Sequence, residues 1–359
     1  MYKQPQNRVP AACPERSRRV SLLRHGSAQP LPTDPRTRGP QLVPTPRPRY
    51  TALALWHLLS LDAPTVATLW TIFIARCSHL ILPWTALAAM FVAVWMIYAA
   101  DRLLDARLLD TGLLDSRPSE SRPLESRISE SRISPSNLEA RHRFHHHHRT
   151  AFLTGILLSS VALATLLHHI DPSSLHLYVL LATLLAGWMI LIHIRPELNG
   201  TDRRLPKELA VGIFFPAAIF IPTLARTTPS ATAVHFLGWT ANWLRPSLLP
   251  SAIFFACICT LNCLCLYAWE HPAPRLQAHW TTRWATAHLT QLALSLLAAS
   301  TIATLSLSPP IALPALACSL STAALFALNL YRRRLSPLHL RAAADLVLLT
   351  PILFLPFAR

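Results

Sequence analysis

The sequence predicts an all-α, polytopic membrane protein. Of its 359 residues, 52% are hydrophobic and only 14% are charged, whereas a soluble domain typically carries about 25% charged residues. Apolar runs of about 20 residues, the length that crosses a bilayer as a helix, recur along the chain. Only 8 glycines occur in an Ala- and Leu-rich background, which favours helices over a barrel of alternating strands.

Residues 1–50 form the first predicted segment, which is rich in Pro and Arg and has no apolar run. A signal peptide would need about 7–15 apolar residues after a short basic stretch, so this segment is not one. Its composition predicts a disordered basic tail that is held near anionic lipid at most. A start codon assigned too early is an equally good explanation of it.

The second predicted segment, residues 51–357, is a transmembrane domain of nine helices. Proline within several spans is tolerated in membrane helices and predicts kinks. The predicted spans are 52–75, 78–100, 150–168, 174–194, 208–225, 247–269, 284–306, 311–331 and 339–357.

The distribution of positive charge predicts that the N-terminus is cytoplasmic. All but four of the 33 Lys and Arg residues lie in the tail or in loops that nine spans would place inside, and the exceptions are Arg76, Arg226, Arg245 and Arg359. Cytoplasmic loops of membrane proteins carry such an excess. The net charge of +16 therefore needs no nucleic-acid partner, and the predicted location is the cell (inner) membrane, in contact with its lipids.

A repeat with a period of five residues interrupts the domain within a predicted cytoplasmic loop, residues 102–149. Its units are RLLDA, RLLDT, GLLDS, RPSES, RPLES, RISES and RISPS. The later units are poor in core-forming residues, so a solvated, flexible loop is expected.

Asp101 and Asp105 stand where the second predicted span ends. Carboxylates four residues apart share one face of a helix, so both can reach one divalent cation. Asp110 and Asp115 follow at steps of five residues, each a rotation of about 140°. Of the consecutive pairs, only Asp101 and Asp105 therefore share a face.

This DxxxD pattern at the end of the second of nine helices resembles the UbiA-type prenyltransferase superfamily. Two further features are similar: a basic-Pro-Gly stretch before the fifth span, which contains Arg203, Arg204 and Lys207, and a polar, acidic end of the sixth span, from Asn262 to Glu270. The resemblance covers about residues 52–357. It implies a helical bundle around a cavity that opens to the cytoplasm.

The resemblance also implies an activity, the Mg²⁺-dependent transfer of a prenyl group from an isoprenoid diphosphate to a lipophilic or aromatic acceptor. Acidic groups and cations neutralise the charge that develops on a departing diphosphate. By this resemblance Asp101, Asp105 and Glu270 are the catalytic and Mg²⁺-binding residues. The residues expected to bind substrate are Arg102, Asn262, Arg203, Arg204 and Lys207.

The chain departs from the family pattern at two places. Ile97 stands where the first motif begins with Asn, and Glu270 is alone where the second motif offers two or three Asp. Either one Mg²⁺ suffices, or His271 or Asn262 assists, or the site has lost prenyl transfer.

Other polar residues support rival interpretations. Asp62 and Asp345 lie within predicted spans, where carboxylates are functional by default; they would serve a transporter or lipid-binding protein on the same scaffold. The alternatives are a helix cap for Asp62 and an ion pair with Arg341 for Asp345. A non-catalytic membrane partner is a further possibility, with the repeat as its interaction segment.

Three other groups have a simpler alternative to a site. Arg203, Arg204 and Lys207 also fit a positive-inside anchor, and Arg102 also fits a neutraliser of the flanking aspartates. The His-rich run 141–149 fits an interfacial basic belt better than a metal site at His142 and His146 or around His145. Cys259 and Cys263 share a helix face but fit plain packing better than a soft-metal site.

Overall fold

The computed structural model describes residues 51–115, 144–194, 207–227, 248–271 and 279–358. They lie in a compact unit that runs from Arg49 to Arg359. Within these ranges every regular element is a helix and there is no strand, so the predicted all-α class is confirmed. The predicted tail, most of the repeat, and Arg203 and Arg204 lie outside the described residues.

Eleven α-helices and two short 3₁₀ turns make up the described chain. The helices are α1 (Ala52–Leu58), α2 (Asp62–Cys77), α3 (Trp84–Asp115), α4 (Arg149–Leu167), α5 (Pro172–Ile194), α6 (Lys207–Thr227), α7 (Leu248–Glu270), α8 (Trp280–Ala287), α9 (Leu289–Ser306), α10 (Pro309–Tyr331) and α11 (Pro337–Val347). The 3₁₀ turns are Arg332–Arg334 and Thr350–Leu353.

Six helices of the described chain are long and apolar enough to cross a membrane, and they indicate a membrane protein. These six lie in α3, α4, α6, α7, α9 and α10. The count becomes seven if the bent pair α1 and α2 is one span. The predicted count of nine and the cytoplasmic cavity stay predictions.

Three predicted spans are interrupted in the structure. Span 52–75 is divided into α1 and α2, which meet at 90°, because Ser60 adopts a left-handed backbone (φ 58°) between them. Span 284–306 is divided at His288 into α8 and α9. Span 339–357 is the 11-residue helix α11 followed by a 3₁₀ turn that contains Pro351.

The second span begins later and ends later than predicted. Helix α3 starts at Trp84, after Pro83, and continues to Asp115. Its membrane-compatible part ends at Leu104. The first three repeat units therefore extend the helix beyond the apolar part, since Arg, Leu and Asp at these positions do not interrupt helical hydrogen bonding.

The core lies where α2, α6, α7, α10 and α11 meet. Trp70 and Phe255, on α2 and α7, are fully buried and pack with ring centroids 4.2 Å apart. The Trp70 indole donates a hydrogen bond to the carbonyl oxygen of Leu348 (2.8 Å). At Gly212 of α6 a Cβ atom would lie 1.9 Å from Thr260 Oγ1, so this glycine permits a close approach of α6 and α7.

Candidate functional site

The break in the first span carries two ionisable side chains into the bundle. His57 lies in the last turn of α1 and Asp62 is the first residue of α2, so the left-handed turn at Ser60 brings them together. Both are only 2% exposed. Asp62 Oδ1 accepts a hydrogen bond from the Ala63 amide (3.0 Å), which places its negative charge at the positive end of α2. The N-cap residue of α2 is Leu61, and no side chain caps this end of the helix, so the alternative of a helix cap at Asp62 is wrong.

Asp345 of α11 joins this pair, which completes a group of three potential metal ligands. His57 Nδ1 lies 2.6 Å from Asp62 Oδ2 and 3.3 Å from Asp345 Oδ2. These are ion-pair distances, and both carboxylates face the same imidazole nitrogen. One ligand atom from each residue lies within 4.8 Å of the others. The two intramembrane carboxylates of the sequence thus meet at one histidine.

Arg102 of α3 contacts the same cluster. Its Nη2 donates to Asp62 Oδ2 over 3.3 Å, and the residue is 8% exposed. The neighbouring Asp101 is exposed. Successive helical residues point about 100° apart, so Arg102 faces the interior of the bundle while Asp101 faces outward at the end of the span.

Helices α7 and α11 are joined by two polar contacts. The amide of Asn262 donates to Asp345 Oδ1 over 3.3 Å, and Arg341 donates to the Glu270 carboxylate. Glu270 is the last residue of α7, and Arg341 is one turn before Asp345 on α11. The end of the sixth predicted span is thereby connected to the cluster.

Several buried polar atoms of the cluster have no hydrogen-bond partner. They are His57 Nε2, Asn262 Oδ1 and Arg102 Nη1. A buried polar group without a partner costs about 1–3 kcal/mol. Such atoms, together at one site, indicate that the cluster has capacity for water or a ligand.

The predicted site residues fall into three groups. Arg102 and Asn262 both reach the cluster, through Asp62 and Asp345 respectively. Asp101 is exposed and Glu270 is paired with Arg341. The side chains of Asp105 and Lys207, like the whole of Arg203 and Arg204, lie outside the described residues.

The predicted Mg²⁺ ligands fit the ion in part. Carboxylate oxygens are the ligands that Mg²⁺ prefers, and Asp101 is exposed on a helix that continues through Asp105. Glu270 would first have to give up the guanidinium of Arg341. Asp101 is thus at an exposed position and Glu270 is held by Arg341, while the side chain of Asp105 lies outside the described residues.

His57 is the site residue that the sequence interpretation missed. A histidine within an apolar run is a weak signal by itself, since a satisfied core histidine is common. The spacing to Asp62 is five residues, which on one continuous helix separates the side chains by about 140°. The 90° break between α1 and α2 removes that separation, and the sequence pattern did not reveal the break.

The other candidate ligands have simpler surroundings. His145 is buried against the ring of Phe152 (centroids 4.7 Å apart), whereas His146, His147 and His148 are exposed. His142 lies outside the described residues. Cys259 is buried in the core cluster, and the described residues place neither it nor Cys263 in a group of three potential ligands.

Comparison with known proteins returned no similarity. No protein-family model, no curated protein and no solved structure matches the chain.

Proposed function

We propose that the protein is an integral membrane transferase that moves a prenyl group from an isoprenoid diphosphate to a lipophilic or aromatic acceptor. The observation that carries the proposal is the polar cluster shared by the two helices with acidic motifs. Arg102, next to Asp101 on α3, and Asn262, two turns before Glu270 on α7, both contact it. These contacts support the proposal because they join α3 and α7, the helices that carry the two motifs, through one buried cluster.

The proposed roles of the residues rest on the chemistry of their side chains. Asp101 and Asp105 would hold Mg²⁺, which when bound neutralises charge on the diphosphate. Arg203, Arg204 and Lys207 supply cations for the phosphate oxygens. Arg102 is a positioning residue, because its guanidinium contacts Asp62 and fixes the end of the apolar part of α3 against α2.

An apolar groove between α5 and α6 supports a hydrophobic substrate. It has a volume of about 450 Å³ and is lined by side chains such as Leu177, Leu184, Trp188, Phe214 and Ile221. Gly187 also lines it, and a Cβ atom there would meet nothing within 4 Å. A groove of this size and character suits the chain of an isoprenoid donor or acceptor.

The test is Mg²⁺-dependent binding of radiolabelled geranyl, farnesyl and geranylgeranyl diphosphate to the purified protein. Asp101→Asn and Asp105→Asn should each weaken binding about tenfold or more, because each removes a charged ligand; tenfold corresponds to about 1.4 kcal/mol. Asp110→Asn is the matched control, since it belongs to the same repeat but not to the same face. Unchanged binding in both variants would remove the transferase proposal.

A second candidate function, transport on the same scaffold, is favoured by the burial of Asp62 with His57 and Asp345. Intramembrane charges that meet at a broken helix are typical of ion and proton pathways. The test is proton flux into proteoliposomes. Flux that is lost in Asp62→Asn and kept in Asp101→Asn would favour transport, whereas absence of flux in the unmodified protein would exclude a proton pathway.

A further inference from the structure

We propose that His57, Asp62 and Asp345 form a binding site for one divalent transition-metal ion, of the class of Mn²⁺, Fe²⁺ or Zn²⁺. The site is distinct from the predicted Mg²⁺ ligands Asp101 and Asp105. It goes beyond the transferase proposal and does not depend on it.

The three ligand atoms lie at separations close to those around a bound metal ion. Ligands at about 2.0–2.1 Å from a tetrahedral ion lie about 3.3 Å from one another. The distance from His57 Nδ1 to Asp345 Oδ2 is 3.3 Å. The distance to Asp62 Oδ2 is 2.6 Å and would have to open by roughly 0.7 Å to reach that separation. A small side-chain adjustment therefore suffices.

Polar atoms of His57 and Asn262 also face the three ligand positions. His57 Nδ1 faces two carboxylate oxygens, at 2.6 and 3.3 Å, so the three atoms converge on one place that a shared cation or a proton on Nδ1 would occupy. Asn262, only 5% exposed, borders the group through its amide nitrogen, while its Oδ1 has no partner. That oxygen is a candidate fourth ligand. One imidazole with oxygen ligands suits the borderline metals rather than Ca²⁺ or Mg²⁺.

The net charge of the buried group also bears on cation binding. With a neutral imidazole, the two carboxylates and Arg102 carry a net charge of −1 in a buried place, and isolated buried charge is costly. A divalent ion and its two carboxylate ligands are together neutral, so the loaded group keeps only the +1 charge of Arg102, whereas a proton on His57 brings the unloaded group to a net charge of zero. Arg102 then contacts Asp62 Oδ2 from outside the metal (3.3 Å), as the partners of metal-bound carboxylates usually do. A proton on His57 is the competing occupant that the experiment has to exclude.

The ligands come from three helices, which gives the ion a structural consequence. His57 and Asp62 flank the break of the first span, and Asp345 lies near the C-terminus on α11. Helices α1 and α11 also pack against each other. An ion at this site would connect both sides of the broken span to α11, so its removal should loosen the bundle.

The experiment uses the full-length protein in a background in which His142, His146, His147 and His148 are replaced by Gln, because this His run can itself bind metal. The protein is stripped with a chelator and then loaded with Mn²⁺ or Zn²⁺ alone. Metal content by mass spectrometry and thermal unfolding with and without the ion are measured. Pulsed electron paramagnetic resonance of the Mn²⁺ form detects coupling to histidine nitrogen.

We expect one ion per chain, a higher Tm in the loaded form and coupling to one imidazole nitrogen. His57→Gln and Asp345→Asn should each lower the affinity by about 100-fold or more, and Asn262→Ala by about 10–100-fold. His169→Gln, at an exposed histidine, is a matched control that should retain the ion.

Three results would overturn the proposal. The unmodified site could fail to retain either ion, or the ion could remain in His57→Gln and Asp345→Asn. Alternatively, the only cation bound could be a proton, shown by pH-dependent unfolding that added metal does not change. If the variants do not fold, the nitrogen coupling in the unmodified site decides, because its absence alone rejects His57 as a ligand.

Discussion

Helices α4 and α7 have the same mean hydropathy but different places in the molecule. In the apolar window of α4 only 6% of residues are buried, whereas half of the α7 window is buried. Helix α4 packs mainly against α3, while α7 packs against α6, α9, α10 and α11. Hydropathy therefore identifies a membrane helix without telling whether its neighbours are lipid or protein.

The difference between the two helices lies in their polar and small residues. Helix α7 carries Asn262, which reaches the buried cluster, and Trp269, whose indole donates to Asn329 Oδ1 of α10 (2.9 Å). The hydroxyl of Ser160 on α4 returns to its own helix, to the carbonyl oxygen of Ile156 (2.8 Å). Polar groups that bond to other helices mark the helices at the centre of the bundle, because such groups are costly when they face lipid.

The largest loss of stability is expected when a charge in the cluster is removed. The comparison is the removal of a charge at the start of α4. Arg102→Met should destabilise the protein by about 3–5 kcal/mol, because it leaves Asp62 buried without its guanidinium partner. Arg149→Met, at the exposed start of α4, is the control and should cost less than about 1 kcal/mol. Chemical unfolding in detergent measures both, and equal losses would show that Arg102 is no more important than a surface charge.

A similar effect is expected for a large side chain in the core of α7. Phe255→Ala should cost about 3–5 kcal/mol, because Phe255 is fully buried against Trp70 and its removal leaves a cavity. Leu158→Ala on α4, where Leu158 is 65% exposed, should change stability by no more than about 0.5 kcal/mol. A comparable drop in Tm for both variants would break the distinction between the two helices.

Three glycines provide a graded test of helix contact. Gly212→Ala should cost about 1–3 kcal/mol, since the new Cβ would lie 1.9 Å from Thr260 Oγ1. Gly155→Ala should cost less, because its Cβ meets only the Trp95 ring edge at 2.9 Å. Gly187→Ala has open space and should gain up to about 1 kcal/mol from helix propensity. The order of the three Tm values is the measurement, and a reversed order would contradict the close approach of α6 and α7.

The smallest effect concerns the ion pair at the end of α7. Glu270→Gln should cost about 1 kcal/mol or less, because the Glu270 and Arg341 side chains are 21% and 19% exposed and solvent screens them. The matched control is Arg341→Gln, which should cost the same. A loss of stability as large as that of Arg102→Met would show that the pair of Glu270 and Arg341 is part of the buried cluster.

Some features of the site followed directly from residue patterns. Asp62 and Asp345 stand out as carboxylates within apolar runs, and both reach the cluster. Asp101 was placed at the end of a span, and the apolar part of α3 ends three residues later, at Leu104. Such boundaries are predictable because the cost of charge in lipid acts on each helix separately.

Other features depended on contacts between distant segments. The predicted pairing of Asp345 with Arg341 rests on their spacing within one helix. The contacts with other helices could not be predicted in this way: Arg341 donates to Glu270, and Asp345 meets His57 and Asn262. Spacing along a helix shows which residues share a face. It does not show what faces them.

Three properties of the described chain are predictable from the sequence alone. They are its helical structure, the runs that are apolar enough for a membrane, and the positions at which charged residues end those runs. These properties follow from local composition, because each helix satisfies its own backbone hydrogen bonds in lipid. The break of the first span at Ser60, and the contact of His57 with Asp62 and Asp345, are seen only in the tertiary structure. That meeting joins residues from opposite ends of the chain, and it depends on how helices pack rather than on how each one forms.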